Sequence, residues 1–146
     1  MGVKLGMDAK LYRNTGSYGS PVWNEVKNVK DVTLNLEAGE ADVTTRGNAG
    51  WRANIATLKD ASLEFEMVWD TADDDFTAIR TAFLTNAAIE FAVLDGPVAT
   101  SGSQGLRASM AITNFSRAEP LEEAIKVSVT AKPTYATNPP EWMTAA

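Results

Sequence analysis

Alternation of apolar and polar residues dominates the chain, and alternation is the signature of strands with one buried face. Leu5, Met7, Ala9 and Leu11 alternate with polar or small residues and predict a first strand. Val32, Leu34 and Leu36 alternate with Thr33 and Asn35 and predict a second, interrupted at Ala38-Gly39. From Leu58 to Asp70 the pattern is clearest: Ala61, Leu63, Phe65, Met67 and Trp69 fall on one face, Ser62, Glu64 and Glu66 on the other, with Val68 the exception. Ala88 to Leu94 has almost no polar side, so it predicts a strand central in its sheet or covered on both faces. Leu106, Ala108, Met110 and Ile112 predict another strand, and Ile125, Val127, Val129 and Ala131 the last, stopped by Pro133.

One stretch has helical period. Thr71-Ala72-Asp73-Asp74 reads as a capping box, with Thr71 as N-cap and Asp74 three residues on. Asp73, Asp74 and Asp75 fall in the first turn, where carboxylates interact well with the helix dipole. Phe76, Ile79, Phe83 and Leu84 then form one apolar stripe, giving a helix over about residues 72–86. Asn14 to Pro21, Asp95-Gly96-Pro97 and Thr100 to Gly105 have the composition of loops. Periodicity is weak from about Glu37 to Ala56, which predicts a long protruding loop around the turn-rich Arg46 to Gly50. The tail from about Thr134 to Ala146, with Pro139-Pro140 and Trp142, is too short and proline-rich to predict a core element. Strands, one helix, then strands predict a mainly β fold: an antiparallel β-sandwich or barrel with one flanking α-helix. No boundary or repeat divides residues 1–146, so one domain is expected, with a flexible N-terminal arm and a C-terminal arm.

Composition narrows the function. Of the 146 residues 45% are hydrophobic and 22% charged, which suits an ordinary folded domain. Thirteen basic against nineteen acidic residues give a net charge of −6, without the basic footprint of a nucleic-acid reader. The chain has no Cys and no His, which removes disulfides, thiolate nucleophiles, Ser-His-Asp triads and Cys- or His-ligated zinc. No apolar run has the length of a membrane span, and Met1 to Lys10 has no apolar core of a secretory leader.

The remaining chemistry has plain structural explanations. Glu64 and Glu66 share a strand face and imitate a glycosidase pair, yet acids two apart are ordinary on a solvated or interface-facing strand. Asp70, Asp73, Asp74 and Asp75 lack the spacing of a calcium loop, and helix capping explains them. Gly47 to Gly50 and Gly102 to Gly105 lack the Lys-Ser/Thr of a phosphate cradle and read as turns. The sequence thus predicts no catalytic residue, no cofactor and no metal site. Trp69 belongs on an apolar face. Trp51 and Trp142 fall in loop-like segments, where Trp forms either a local lid or an interface anchor; for Trp51 the anchor is the preferred reading.

Several segments carry a resemblance. Trp23 to Leu36 leads into Glu40-Ala41-Asp42-Val43-Thr44-Thr45-Arg46, followed by Leu63 to Met67, the helix after Asp73, Gly105 to Phe115, and Val127 to Thr134. In this order they resemble the major tail tube protein of long-tailed bacteriophages, over most of the chain. The resemblance implies a self-assembling virion protein. Hexameric rings would stack into a tail tube, a conduit for genome delivery. It implies that the long loop reaches a neighbouring subunit or ring, which nominates Glu40, Asp42, Thr45, Arg46, Trp51 and Arg52. Expected partners are other copies of the chain, a tape measure, a tail terminator and baseplate or tip proteins, with assembly in the host cytoplasm.

The acidity fits such a conduit, because an acidic wall does not hold phosphates and lets DNA slide without specific binding. Asp42, Glu64, Glu66 and Glu90 are the candidate lumen-facing acids. Two other readings stand beside this one. The tube of a type VI secretion or related injection system shares the fold. A non-catalytic connector or carbohydrate-binding sandwich is of another class, with Tyr12, Tyr18 and Trp23 as the aromatic group for a sugar.

Overall fold

The computed structural model describes residues 3–145; Met1, Gly2 and Ala146, the ends of the two expected arms, lie outside it. Eight strands form one antiparallel sheet: β1 (Lys10–Asn14), β2 (Trp23–Glu25), β3 (Val29–Asp42), β4 (Asn54–Val68), β5 (Ala88–Leu94), β6 (Gln104–Ala118), β7 (Lys126–Pro133) and β8 (Glu141–Thr144). One helix, α1 (Asp74–Thr85), connects β4 to β5. The strand order is β2-β1-β5-β6-β7-β4-β3, with β8 on β6. This is the mainly β fold with one helix that the alternation predicts.

The sheet folds over on itself. In a flat sheet β4 and β5, three strands apart, would be about 14 Å apart. Instead the rings of Phe65 on β4 and Phe91 on β5 meet edge to face with centroids 6.0 Å apart. β6 allows this. Its first half pairs with β5 and its second half with β7, and one extra residue sits between Ile112 and Asn114, where the register shifts against β7. Such bulges bend and twist a strand. The resulting core joins Leu11, Leu63, Phe65, Met67, Phe91, Met110, Val127 and Val129 from the sheet with Phe76 and Ile79 from the helix. Each such side chain contributes about 1.5–3 kcal/mol on burial. β5 is covered on both faces, as its composition predicts, because Ala92 and Leu94 pack with Tyr12 in a second cluster.

Several local expectations are corrected. Gly6–Asp8 form a 3-10 turn, closed by Asp8 N–H to the Leu5 carbonyl (3.0 Å) and Ala9 N–H to that of Gly6 (3.2 Å). The first strand therefore starts at Lys10, and Leu5 and Met7 face solvent. The helix is shorter than predicted. Asp73 rather than Thr71 is the N-cap, its carboxylate accepting from Phe76 N–H at 2.9 Å. Leu84 leaves the stripe for solvent and Ala82 takes its place in the core. Asn86 ends the helix in the left-handed region, φ 57°, which Asn tolerates well. Ala38-Gly39 does not interrupt β3, and the stretch expected as a loop over about 37–56 is paired strand at both ends, 37–42 and 54–56, which leaves 43–53 as the turn between them. The C-terminal tail does supply an element: β8 pairs with Gln104–Arg107 of β6, and next to it Ala145 N–H donates to the Ser103 carbonyl and Gly102 N–H to that of Ala145. The segment Thr100 to Gly105 is thereby tied down, with Ser103 buried. Gly105 is obligatory there, since a Cβ would lie 1.5 Å from the Val93 carbonyl oxygen.

Candidate assembly surfaces

β3 and β4 form a hairpin whose distal half has left the core. In β4, residues Ala61, Leu63, Phe65 and Met67 are buried in alternation, whereas all of 54–60 are exposed. A bulge lies within this arm, where Ala38 pairs with Lys59 but Glu40 with Ala56. Gly39 sits at the bulge, and a Cβ there would come within 2.6 Å of the Thr57 hydroxyl oxygen. The arm carries apolar side chains into solvent: Leu36, Val43, Ile55, Leu58 (87% exposed) and Trp51 (77%). A set of exposed apolar side chains on one element marks an interaction surface.

The tip of the arm is a closed turn. Ala53 N–H donates to the Thr44 hydroxyl (2.9 Å) and Val43 N–H to the Ala53 carbonyl (2.9 Å). A 3-10 turn over Arg46–Asn48 follows Thr45, then Ala49 (φ 53°) and Gly50 (φ 86°) reverse the chain into Trp51 and Arg52. Of the nominated loop residues, Thr45, Arg46, Trp51 and Arg52 gather at this tip around one shallow surface. Glu40 and Asp42 instead belong to β3, below the tip. Hydrogen bonds from Thr44, through its hydroxyl and its backbone N–H, hold the Asp42 carboxyl below the ordinary aspartate range.

The outer face of β3, β4, β7 and β6 is polar. Cross-strand rows run Thr33–Glu64–Thr130–Asn114 and Lys30–Glu66–Ser128–Ser116. Glu64 and Glu66 therefore share this face. Glu64 is exposed, while Lys126 Nζ lies 4.0 Å from Glu66 and 2.8 Å from Glu123. Among the described residues no strand pairs with the outer edge of β3, nor with the β5 side of β6 beyond Ala111.

Glu90 has different surroundings from the other three acids. It pairs with Arg107 and accepts from Asn14 Nδ2 at 2.8 Å, and its side chain is largely covered. The Arg107 guanidinium stacks 3.7 Å from the Tyr18 ring centroid, with Trp23 at 5.1 Å, and donates to the Tyr18 carbonyl at 2.6 Å. Glu141 of β8 joins the cluster through the Tyr18 hydroxyl. The aromatic group nominated for a sugar is thus engaged internally: Tyr12 is buried, its hydroxyl accepting from Val98 N–H, and Tyr18 and Trp23 line Arg107. A second buried pair ties α1 to the sheet. Asp75 accepts from Arg13 Nε at 2.7 Å and from Asn24 Nδ2 at 3.0 and 3.1 Å. Sequence reasoning placed Asp75 among capping acids and missed both pairs. The available signal was a lone acid and a lone base, Glu90 and Arg107, inside otherwise apolar strands.

Among the described residues no helix is long and apolar enough to cross a membrane, and no acid cluster is arranged to hold a metal ion. The profile of a family described as phage tail tube protein matches residues 9–134. No curated protein matches the chain. Among solved structures, the tail of an empty gene transfer agent (GTA) particle, refined with C6 helical symmetry, is similar with a TM-score of 0.73 and 20% identity, covering 99% of this chain and 100% of that one. The SPP1 tail tube is similar with a TM-score of 0.69 and 14% identity, covering 89% of this chain and 75% of that one. A chain of the anti-feeding prophage baseplate follows at 0.55 and 8%, covering 92% and 90%.

Proposed function

From the premise that this chain belongs to the phage tail tube protein family, we propose that six copies close into a ring and that rings stack into the tail tube of a virion-like particle. Ring closure is supported above all by one observation: the polar layer β3-β4-β7-β6 ends in two strand edges without partners among the described residues. An exposed edge invites pairing, and a closed ring of copies satisfies every edge without an open end. The C6 symmetry of the similar GTA tail supports six copies.

In this ring the polar face of the four-stranded layer lines the lumen. Glu64 carries the acidic character of that wall, with Glu66 partly offset by Lys126. Glu90, paired with Arg107, contributes little net charge to any surface. Asp42 stands on the arm, which reaches a neighbouring subunit or ring. The role is structural, without catalysis. Genomic DNA passes through the lumen without specific binding, and tape measure, terminator and baseplate proteins meet the tube at its ends. Assembly takes place in the host cytoplasm. The tube of an injection system is the second reading, supported by the likeness to the anti-feeding prophage chain; the family match favours the phage-type tail.

The test is negative-stain electron microscopy of the purified protein at high concentration, with sedimentation of the same sample. Rings or tubes with a central hole and six-fold averages are expected. A protein that stays monomeric at the highest soluble concentration overturns the reading.

A further inference from the structure

Between the base of the arm and β8 lies a groove of about 620 Å³. Its apolar walls are Leu36, Leu106, Pro133, Pro140 and Trp142. Leu36 is 55% and Trp142 57% exposed, and both face this open groove, which no described residue fills. The Trp142 ring is held in place as a wall, because its Nε1 donates to Gln104 Oε1 at 2.9 Å. Glu37 and Asp60 stand at the groove against one lysine, Lys59, while a third acid there, Glu141, is already engaged by Tyr18 and Arg107.

The tip of the same arm has the opposite character. It presents the exposed indole of Trp51 between Arg46 and Arg52, and residues 43–53 contain no acid. We propose that the arm tip of one copy docks in the groove of a second copy, Trp51 entering between Leu36 and Trp142 with Arg46 and Arg52 against the acids. This rests on the self-assembly reading above and says where the arm lands. Apolar shape and charge agree on the same pairing. A buried aromatic anchor with flanking arginines is the common composition of an interface centre. The tip lies away from its own groove, at the far end of the extended β3–β4 hairpin whose base forms the groove wall. Donor and acceptor are therefore different patches of one chain, and the contact is head-to-tail: every copy gives one tip and receives one, so it propagates.

Absence of native cysteine makes the test direct. Gly47→Cys, beside Trp51 at the tip with room for a side chain, and Ala38→Cys, at the groove wall, are made as separate proteins, mixed and oxidised under assembly conditions. Heterodimers are expected from the mixture, and a ladder of higher species from the double variant. Separately, Trp51→Ala should raise the concentration needed for assembly at least about tenfold, the scale of losing an aromatic anchor, while leaving the monomer's melting temperature unchanged. Tubes without the 47–38 cross-link, repeated with Lys59→Cys as acceptor, overturn the docking and leave ring formation standing. A cross-link from Ala38→Cys to Leu5→Cys in its place also overturns it, assigning the groove to the N-terminal segment. Wild-type protein that forms no assembly overturns the reading on which the docking rests.

Discussion

The two halves of β4 are one continuous strand with opposite fates. From Ala61 to Met67 every second side chain enters the core, and the strand is held between β3 and β7. From Asn54 to Asp60 every residue is exposed, and β3 is the only partner. An isolated two-stranded ribbon is marginal in water, so the distal half persists only because the proximal half anchors it. The body is specified by burial within the chain. The arm is specified by backbone pairing, and its apolar side chains stay exposed in the single chain.

The sharpest way to break this contrast is to truncate one apolar side chain in each region. Phe91→Ala empties a fully buried site touching Phe65 and should cost about 3–5 kcal/mol in urea unfolding of the monomer. Leu58→Ser, at a residue of similar hydrophobicity, should change monomer stability by no more than about 0.5 kcal/mol. A comparable loss in both variants would mean that the arm is packed in the monomer, and the distinction between the regions would fall.

Charge gives a second, smaller contrast. Asp75→Ala leaves the Arg13 guanidinium buried without its counter-ion and frees the start of α1 from Asn24. Breaking a buried pair on one side typically costs about 3 kcal/mol or more. Glu64→Gln, on the polar outer face, should leave the melting temperature within error. If Glu64→Gln proves as damaging as Asp75→Ala, the outer face is doing structural work in the monomer.

The same contrast explains what was legible in the sequence. Where burial is intramolecular, period-two patterning predicts the strand, as in Leu63 to Met67, Ala88 to Leu94 and Val127 to Ala131. Where it is not, as in Glu37 to Asp42 and Asn54 to Ala56, no alternation is required and the stretch reads as loop. β8 was hidden for a related reason: four residues after two prolines carry too little pattern, and its partner edge on β6 is free only because β7 stops at Pro133. Leu5 and Met7 err the other way, alternating without any strand alongside. Trp51 was legible as an interface candidate from being a large aromatic in a polar turn. The groove was not, since Leu36, Leu106, Pro133 and Trp142 are distant in sequence and meet only through β8.

The smallest effect concerns β8, which belongs to the body but is joined to it late in the chain. Its Glu141 accepts a hydrogen bond from the Tyr18 hydroxyl, and that bond, with partial burial and the nearby negative charge, raises the Tyr18 phenol above its ordinary value. The proton is thus held more tightly in the folded chain than in the unfolded one. The linked stability is complete below the ordinary tyrosine range near pH 10 and is lost as pH rises through the raised folded value. Alkaline titration of tyrosinate absorbance, taken as wild type minus Tyr18→Phe, isolates this phenol. Its midpoint should shift downward in Glu141→Gln, because the neutral amide removes the charge that opposes ionisation, while the arm variant Leu58→Ser leaves it in place. An unshifted midpoint in Glu141→Gln would detach β8 from Tyr18 and leave its pairing with Gln104–Arg107 of β6 as what holds it to the body.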